Sequence, residues 1–282
     1  MLPYVDLPTL GPVTSFGVLA LLGMIVSMAA VARYAERLGL ELARVRRMAS
    51  WCGVGALLGA HYIDLFFYQP GWADTDDALW TFLNPFSGIS SYGGLLGGTL
   101  GFFVFARSVR GDKLRYADVA AYGAVVFLLF GRAGCASVHD HVGVASEFAL
   151  AVDFPAGNPA GVVGPHHDLG LYEAGLFGVL VVVSTWLLRI PRRPGWFVGI
   201  IALSYAIPRF WLDMLRRESV DPRYAMLTPA QWGCIATVIA GIWLLVCSRR
   251  GSVPPSYRVP TPWIEHLRDQ VGLRRSSADH AR

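Results

Sequence analysis

Charge is scarce in this chain. Asp, Glu, Lys and Arg make up only 16% of its 282 residues, against about 25% in a soluble globular domain. Hydrophobic residues reach 54% and the mean hydropathy is +0.45, a composition suited to lipid. The few charges are not gathered into a stripe that could follow phosphates, so nucleic acid is not an expected partner. Disorder and collagen-like structure are disfavoured too. Cysteine is equally sparse: Cys52, Cys135, Cys234 and Cys247 are scattered, three of them inside apolar runs. They offer neither a disulfide framework nor a zinc-ligand spacing. Neither an internal repeat nor a pair of broken helices is visible, which disfavours a transporter. The stretch before residue 12 lacks a basic n-region and a cleavage site, so the first apolar run reads as a retained span.

Long apolar runs are what the chain has. Stretches able to cross about 30 Å of hydrocarbon lie at 12–32, 49–67, 92–107 and 224–247. Three more, 119–135, 172–189 and 195–212, reach span length if Arg132, Glu173 and Arg209 are admitted. The expected fold is therefore an all-α polytopic membrane protein with seven transmembrane helices over 1–248. A basic tail, 249–282, follows, in which Thr261 and Pro262 start a short amphipathic helix carrying Trp263, Ile264, Leu267 and Val271 on one face. With seven spans, nineteen of the 24 Lys and Arg residues fall on one side. The excess of positive charge on cytoplasmic loops makes that side cytoplasmic, so the N-terminus is expected outside and the C-terminus inside.

Five arginines break this rule: Arg132, Arg209, Arg216, Arg217 and Arg223. The last three fit a solvated loop beside Glu218 and Asp221. Arg132 and Arg209 sit within or at the end of apolar helices, where a charge costs roughly 2.5–3.5 kcal/mol on insertion scales, and that cost marks them as functional candidates. Three constellations surround them. In the first, Gly93, Gly97 and Gly101 share a helical face suited to close helix packing, and the preceding Ser90 and Ser91 leave a helix N-terminus that suits phosphate. In the second, Gly131-Arg132-Ala133-Gly134-Cys135 runs on to His139-Asp140-His141 and Gly143; Arg132 offers a planar fork of donors to a phosphodiester. His166, His167 and Asp168 share that outer segment, but without a fixed ligand spacing no metal and no cofactor is expected. In the third, Tyr205, Arg209, Asp213 and Arg216 lie on one helical face, and Glu173 adds an acid at similar depth.

Taken in order, Ser91-Tyr92-Gly93-Gly94-Leu95-Leu96-Gly97-Gly98, Gly131-Arg132-Ala133-Gly134-Cys135 closing at Gly143, His167 to Leu171-Tyr172-Glu173, Tyr205 to Arg209-Phe210 with Asp213 and Arg216, and Gln231 resemble the prolipoprotein diacylglyceryl transferases over most of 12–247. The resemblance implies a bacterial inner (cytoplasmic) membrane enzyme with seven spans. Such an enzyme transfers the diacylglyceryl group of phosphatidylglycerol to the lipobox cysteine thiol of a preprolipoprotein, releasing glycerol 1-phosphate. Its implied partners are phosphatidylglycerol, the lipobox peptide and membrane lipids.

On this resemblance the catalytic residues are Arg132, Arg209 and Tyr92, the arginines binding phosphate and Tyr92 orienting the headgroup. Gly93, Gly94, Cys135, Gly143, His139, His141, His167, Tyr172, Glu173 and Asp213 are the implied substrate-binding residues. Arg132 and Arg209 are expected to converge on one lipid-accessible cavity. The chain departs from the family pattern at Tyr92, where the family reads histidine, and at Cys135, Gly170, Asp213 and His61, where asparagine, glutamine, glutamate and arginine are common. Two alternatives keep the same lipid site: a paralogue with a different acceptor, and a non-catalytic lipid-binding membrane protein.

Overall fold

A computed structural model describes residues 1–5, 14–69, 71–85, 88–111, 113–190, 192–217 and 222–249. The expected amphipathic tail helix lies outside these residues. Eight α-helices carry most of the described chain: α1 (Ser15–Arg37), α2 (Leu42–Phe67), a short α3 (Ala78–Leu83), α4 (Ser91–Ala106), α5 (Lys113–Val138), α6 (Leu169–Leu187), α7 (Trp196–Leu212) and α8 (Pro229–Arg249). Local chemistry starts several of them. Thr14 accepts from the Gly17 amide at 3.1 Å to cap α1, Ser90 accepts from Gly93 at 3.2 Å to cap α4, and Asp168 accepts from Leu171 at 3.1 Å to cap α6. At α8, Thr228 and Gln231 form a reciprocal capping box, each side chain accepting the other's amide at 3.1 Å, with Pro229 at the first helical position.

The helices pack as antiparallel neighbours, chiefly α1 with α5, α2 with α4, α5 with α6 and α7 with α8. The α2–α4 contact is the tightest, because glycines face glycines. A Cβ on Gly97 would come within 2.8 Å of the Gly59 Cα, and one on Gly101 within 3.1 Å of the Cys52 Cα. The glycine face read from the sequence is thus a packing face. A core of Val31, Tyr34, Tyr122, Phe177, Phe197 and Tyr205 joins α1, α5, α6 and α7. Outward, large apolar side chains stand exposed, Val182 at 70% and Ile239 at 64%, as lipid-facing positions do.

Five helices are long and apolar enough to cross a membrane: α1, α5, α6, α8, and α7 with its extension to Leu215. The sixth and seventh expected spans correspond to α4, which is apolar but only 16 residues long, and α2, which has length but carries Arg44, Arg46 and Arg47 at one end and His61 and Asp64 at the other. The expectation of an all-α fold is corrected. The segment after α5 folds with the N-terminus into a four-stranded sheet of order β1-β3-β4-β2, from β1 (Leu2–Pro3), β2 (Val142–Ala145), β3 (Val152–Phe154) and β4 (Gly164–Asp168). β1 runs parallel to β3, and the other pairs are antiparallel. Alternation drives it: Val142, Val152, Phe154 and Val162 face inward onto Leu2, Tyr4 and Leu171, while Asp153 points away.

The two ends of the bundle differ. At the end away from the sheet, Arg115 donates to the Leu38 carbonyl, Arg193 donates to the Arg249 carbonyl, and Asp118 accepts from the Gly195 and Val198 amides, both at 2.9 Å. Most of the basic loop residues gather there. The sheet end receives the C-terminal turns of α5 and α7 and the N-terminal turns of α4, α6 and α8.

Candidate active site

At the sheet end, α5, α6 and the end of α7 bring together five charges from three separate stretches of the sequence. Glu173 sits one turn into α6 and is fully buried. Its two carboxylate oxygens hold the Nε edges of two arginines, Arg132 of α5 at 2.9 Å and Arg209 of α7 at 3.3 Å. Arg209 Nη1 also reaches Asp213 at 2.6 Å, and Arg216 Nε approaches the same Asp213 oxygen at 3.1 Å. Thr228 donates to the other Asp213 oxygen, which ties the α8 capping box to the cluster. Gln231 Nε2 donates to the Phe210 carbonyl at 3.3 Å. Pro208, just before Arg209, interrupts the hydrogen-bond ladder of α7 where the cluster begins.

The expectation that Arg132 and Arg209 converge holds, with one correction: they converge on Glu173, not on an open cavity. Their side chains are only 2% and 3% exposed. Burying such charges is tolerable only because they are paired. Three guanidinium groups face two carboxylates here, so the cluster keeps one unit of positive charge. Arg132 Nη1 is buried and has no hydrogen-bond partner among the described residues. Glu173 therefore fixes both forks by their inner edges and leaves a strong donor unspent.

The remaining predicted residues divide between this cluster and its surroundings. Cys135, one turn beyond Arg132, is buried beside it. Tyr92 lies on α4 and its hydroxyl shares a 2.6 Å hydrogen bond with Thr237 of α8. The phenol packs against Gly233, where any side chain would collide with the ring. Gly93 and Gly94 are in the α2–α4 contact, and the Gly93 amide is already capped by Ser90. Gly143 permits a close approach: a Cβ there would lie 2.6 Å from the Leu215 carbonyl oxygen and 3.0 Å from the His167 Cβ.

His139, His141, His167 and Tyr172 form the roof. His139 Nδ1 lies 2.6 Å from Asp168, its ring stacks on Tyr4 at 4.6 Å, and its Nε2 lies 3.3 Å from the Val5 carbonyl. His167 Nδ1 lies 2.9 Å from the Tyr172 hydroxyl. Its pKa is lowered by partial burial and then by the neighbouring His166. Burial also holds His141 below the ordinary imidazole value, against the upward pull of its contact with Asp140. A cavity of about 390 Å³, lined by Tyr4, His139, Asp140, His141, Arg216 and Arg217, opens at this roof. Arg216 joins it to the buried cluster, whereas Arg132 and Arg209 do not line it.

Sequence reading missed Thr228 and Thr237. The first was readable in Thr228-Pro229-Ala230-Gln231, a capping-box pattern; for Thr237, a hydroxyl within an apolar helix, no local signal exists.

The prolipoprotein diacylglyceryl transferase family model matches residues 5–247. A phosphatidylglycerol–prolipoprotein diacylglyceryl transferase of Chromohalobacter salexigens is 31% identical over 266 residues, covering 90% of this chain and 97% of that protein. One of the same name from Idiomarina loihiensis is 31% identical over 71% of this chain and 74% of its own length, and one from Roseobacter denitrificans is 28% identical over 74% and 79%. The match takes in strands β2–β4, the long helices up to residue 247 and every residue of the buried arginine cluster, and this chain belongs to the prolipoprotein diacylglyceryl transferase family.

Proposed function

We propose that this chain transfers the diacylglyceryl group of phosphatidylglycerol to the thiol of a lipobox cysteine, with Arg132 and Arg209 stabilising the departing glycerol 1-phosphate. The observation that carries this reading is the buried pair of guanidiniums clamped by one carboxylate with positive charge to spare. In the reaction the acceptor sulfur attacks the diacylglyceryl carbon bonded to phosphate oxygen. The C–S bond forms, the C–O bond breaks with its electron pair going to the phosphate oxygen, and the thiol proton passes to the leaving phosphate or to water. Charge grows on the leaving phosphate, so preoriented forks in a dry site favour the transition state over the bound lipid. Arg132 is only 2% exposed, so binding of the phosphate requires the residues that bury it to shift, and its unpartnered Nη1 is then a donor available to the phosphate. The acceptor thiol, with an ordinary pKa of about 8.5, needs a modest push toward thiolate, and the surplus positive charge supplies it.

Seven membrane crossings by α1, α2 and α4–α8 complete this reading, with the N-terminus and sheet outside and the C-terminus cytoplasmic, in the inner membrane of a bacterium. The basic end then faces the cytoplasm, and the cluster lies at the depth of outer-leaflet headgroups. Cys135, Gly143, His139, His141, His167, Tyr172 and Asp213 border the substrates, and Gly93 and Gly94 set the position of Tyr92.

A second reading is favoured by Tyr92. A phenol is a poor base at neutral pH, and its bond to Thr237 points it at α8. That suits a protein that keeps the lipid site but uses another acceptor or no longer turns over. Purified protein supplied with phosphatidylglycerol and a lipobox peptide separates the two. Thioether-linked peptide and glycerol phosphate in equal amounts support transfer; activity appearing only in Tyr92→His supports the second reading.

A further inference from the structure

We propose that His141 is the base that takes the lipobox thiol proton, with Asp140 as its positioning residue and the cavity beside them as the seat of the acceptor cysteine. This role presupposes the transfer reading, in which the phenol of Tyr92, a poor base at neutral pH and already bonded to Thr237, leaves the thiol without a proton acceptor. A base needs a free lone pair within reach of the substrate. Both nitrogens of His139 face oxygens, Asp168 at 2.6 Å and the Val5 carbonyl at 3.3 Å. His61 donates from Nε2 to the Phe82 carbonyl at 3.0 Å and, like His166 and His167, does not line the cavity. His141 does line it. Its Nδ1 lies against the Asp140 carboxylate, so the proton of the neutral ring sits on Nδ1 and the lone pair on Nε2. Among the described residues Nε2 has no hydrogen-bond partner.

Asp140 is itself held in place. The Cys135 thiol bonds to it from α5, and its amide comes back to 3.4 Å from the Cys135 carbonyl oxygen because His139 turns the chain at φ +50°. The backbone around His141 is fixed as well: the Leu169 amide donates to its carbonyl at 3.0 Å, and Gly143, two residues on, forms a β-bridge with Arg216. A carboxylate that orients an imidazole through Nδ1 and leaves Nε2 for the substrate is the arrangement of a general base. Charge suits the role. Arg216, Arg217, Tyr4 and His139 share the cavity with the ring, Arg132 and Cys135 lie near it on α5, and the acids acting with it are Asp140 and Glu173. Burial, aided by Arg216 and Arg132, holds the imidazole below its ordinary value despite Asp140, so it is neutral at pH 7 and able to accept a proton. The same cations favour the thiolate it makes. The thiol proton passes first to Nε2, the sulfur forms the C–S bond, and the C–O electron pair goes to the phosphate oxygen on the side of the cluster, which Arg216 joins to the cavity. The imidazolium then yields its proton to the leaving phosphate or to water, and the neutral ring is restored.

The pH dependence of transfer from phosphatidylglycerol to a lipobox peptide, measured with the full-length protein in detergent, tests the proposal. The unaltered protein is expected to change little in rate between pH 7 and pH 9. His141→Gln is expected to be at least about 20-fold slower at pH 7 and to regain roughly 20-fold by pH 9, where a thiol with an ordinary pKa of about 8.5 ionises without help. Asp140→Asn removes the carboxylate that raises the imidazole's basicity, so its rate also falls at pH 7 and recovers toward pH 9. A His141→Gln protein as fast as the unaltered one at pH 7, or slower by the same factor at every pH, overturns the role. If His141→Gln does not fold, Asp140→Asn decides by the same two criteria. An unaltered protein that makes no thioether-linked peptide at any pH overturns the transfer reading itself, and the base with it.

Discussion

Glu173 is the residue on which the site turns, since one buried carboxylate holds both arginines. Removing its charge in Glu173→Gln leaves two buried guanidiniums undercompensated, and breaking a buried pair in this way costs about 3–5 kcal/mol. A clear drop in thermal midpoint in detergent is expected, larger than for Arg216→Gln, whose side chain is 17% exposed. Equal midpoints for the two variants would show that Glu173 does not anchor the cluster. Both arginines and Glu173 were legible in the sequence because a charge inside an apolar run stands out. Their mutual geometry was not: no periodicity links α5, α6 and α7, and the open cavity expected around the arginines is filled by their own counter-charge. Tyr92 is a subtler case. Loss of its hydroxyl in Tyr92→Phe breaks the bond to Thr237 and a weaker one to the Cys234 thiol, so a small stability cost of about 0.5–1.5 kcal/mol is expected. A Tyr92→Phe protein as inactive as an Arg132 variant would instead make the phenol a direct participant.

Among the elements, the α2–α4 pair has the least slack. Gly97→Ala puts a methyl against the α2 backbone, and overpacking of this kind costs typically about 1–3 kcal/mol. Gly175→Ala in α6 meets nothing within 4 Å and should be neutral or slightly stabilising, since alanine is the better helix former by about 1 kcal/mol. Thermal denaturation of the two variants side by side checks the contrast; equal losses would mean that glycine content, not the contact, matters. The helix face was readable because a spacing of four residues is enough to define it. The sheet was not read because its strands are two to five residues long. Val142-Gly143-Val144 and Val152-Asp153-Phe154 are too short to stand out beside the long apolar runs. Its first strand comes from the other end of the chain, a pairing that no local pattern announces.

At the scale of the whole molecule, the separation of the basic end from the sheet end predicts the orientation. A single cysteine at Glu147, exposed in the sheet region, should react with a membrane-impermeant maleimide in intact cells freed of their outer barrier. One at Gly111, exposed at the basic end, should react only after lysis; the reverse pattern would invert the topology. Composition alone carried the membrane assignment, and the charge map is the basis of the proposed orientation; α2 and α4, each short of a span by length or charge, pack on each other. The account rests most heavily on two guanidinium forks receiving a phosphate. The measurement that tests it most directly is the rate of diacylglyceryl transfer from phosphatidylglycerol to a lipobox peptide by Arg132→Lys, set against the unaltered protein. Lysine keeps the charge and loses the fork. A fall of roughly 100-fold or more, the order seen when one transition-state donor is removed, with glycerol phosphate release falling in step, is the predicted result, and transfer at the unaltered rate would contradict it.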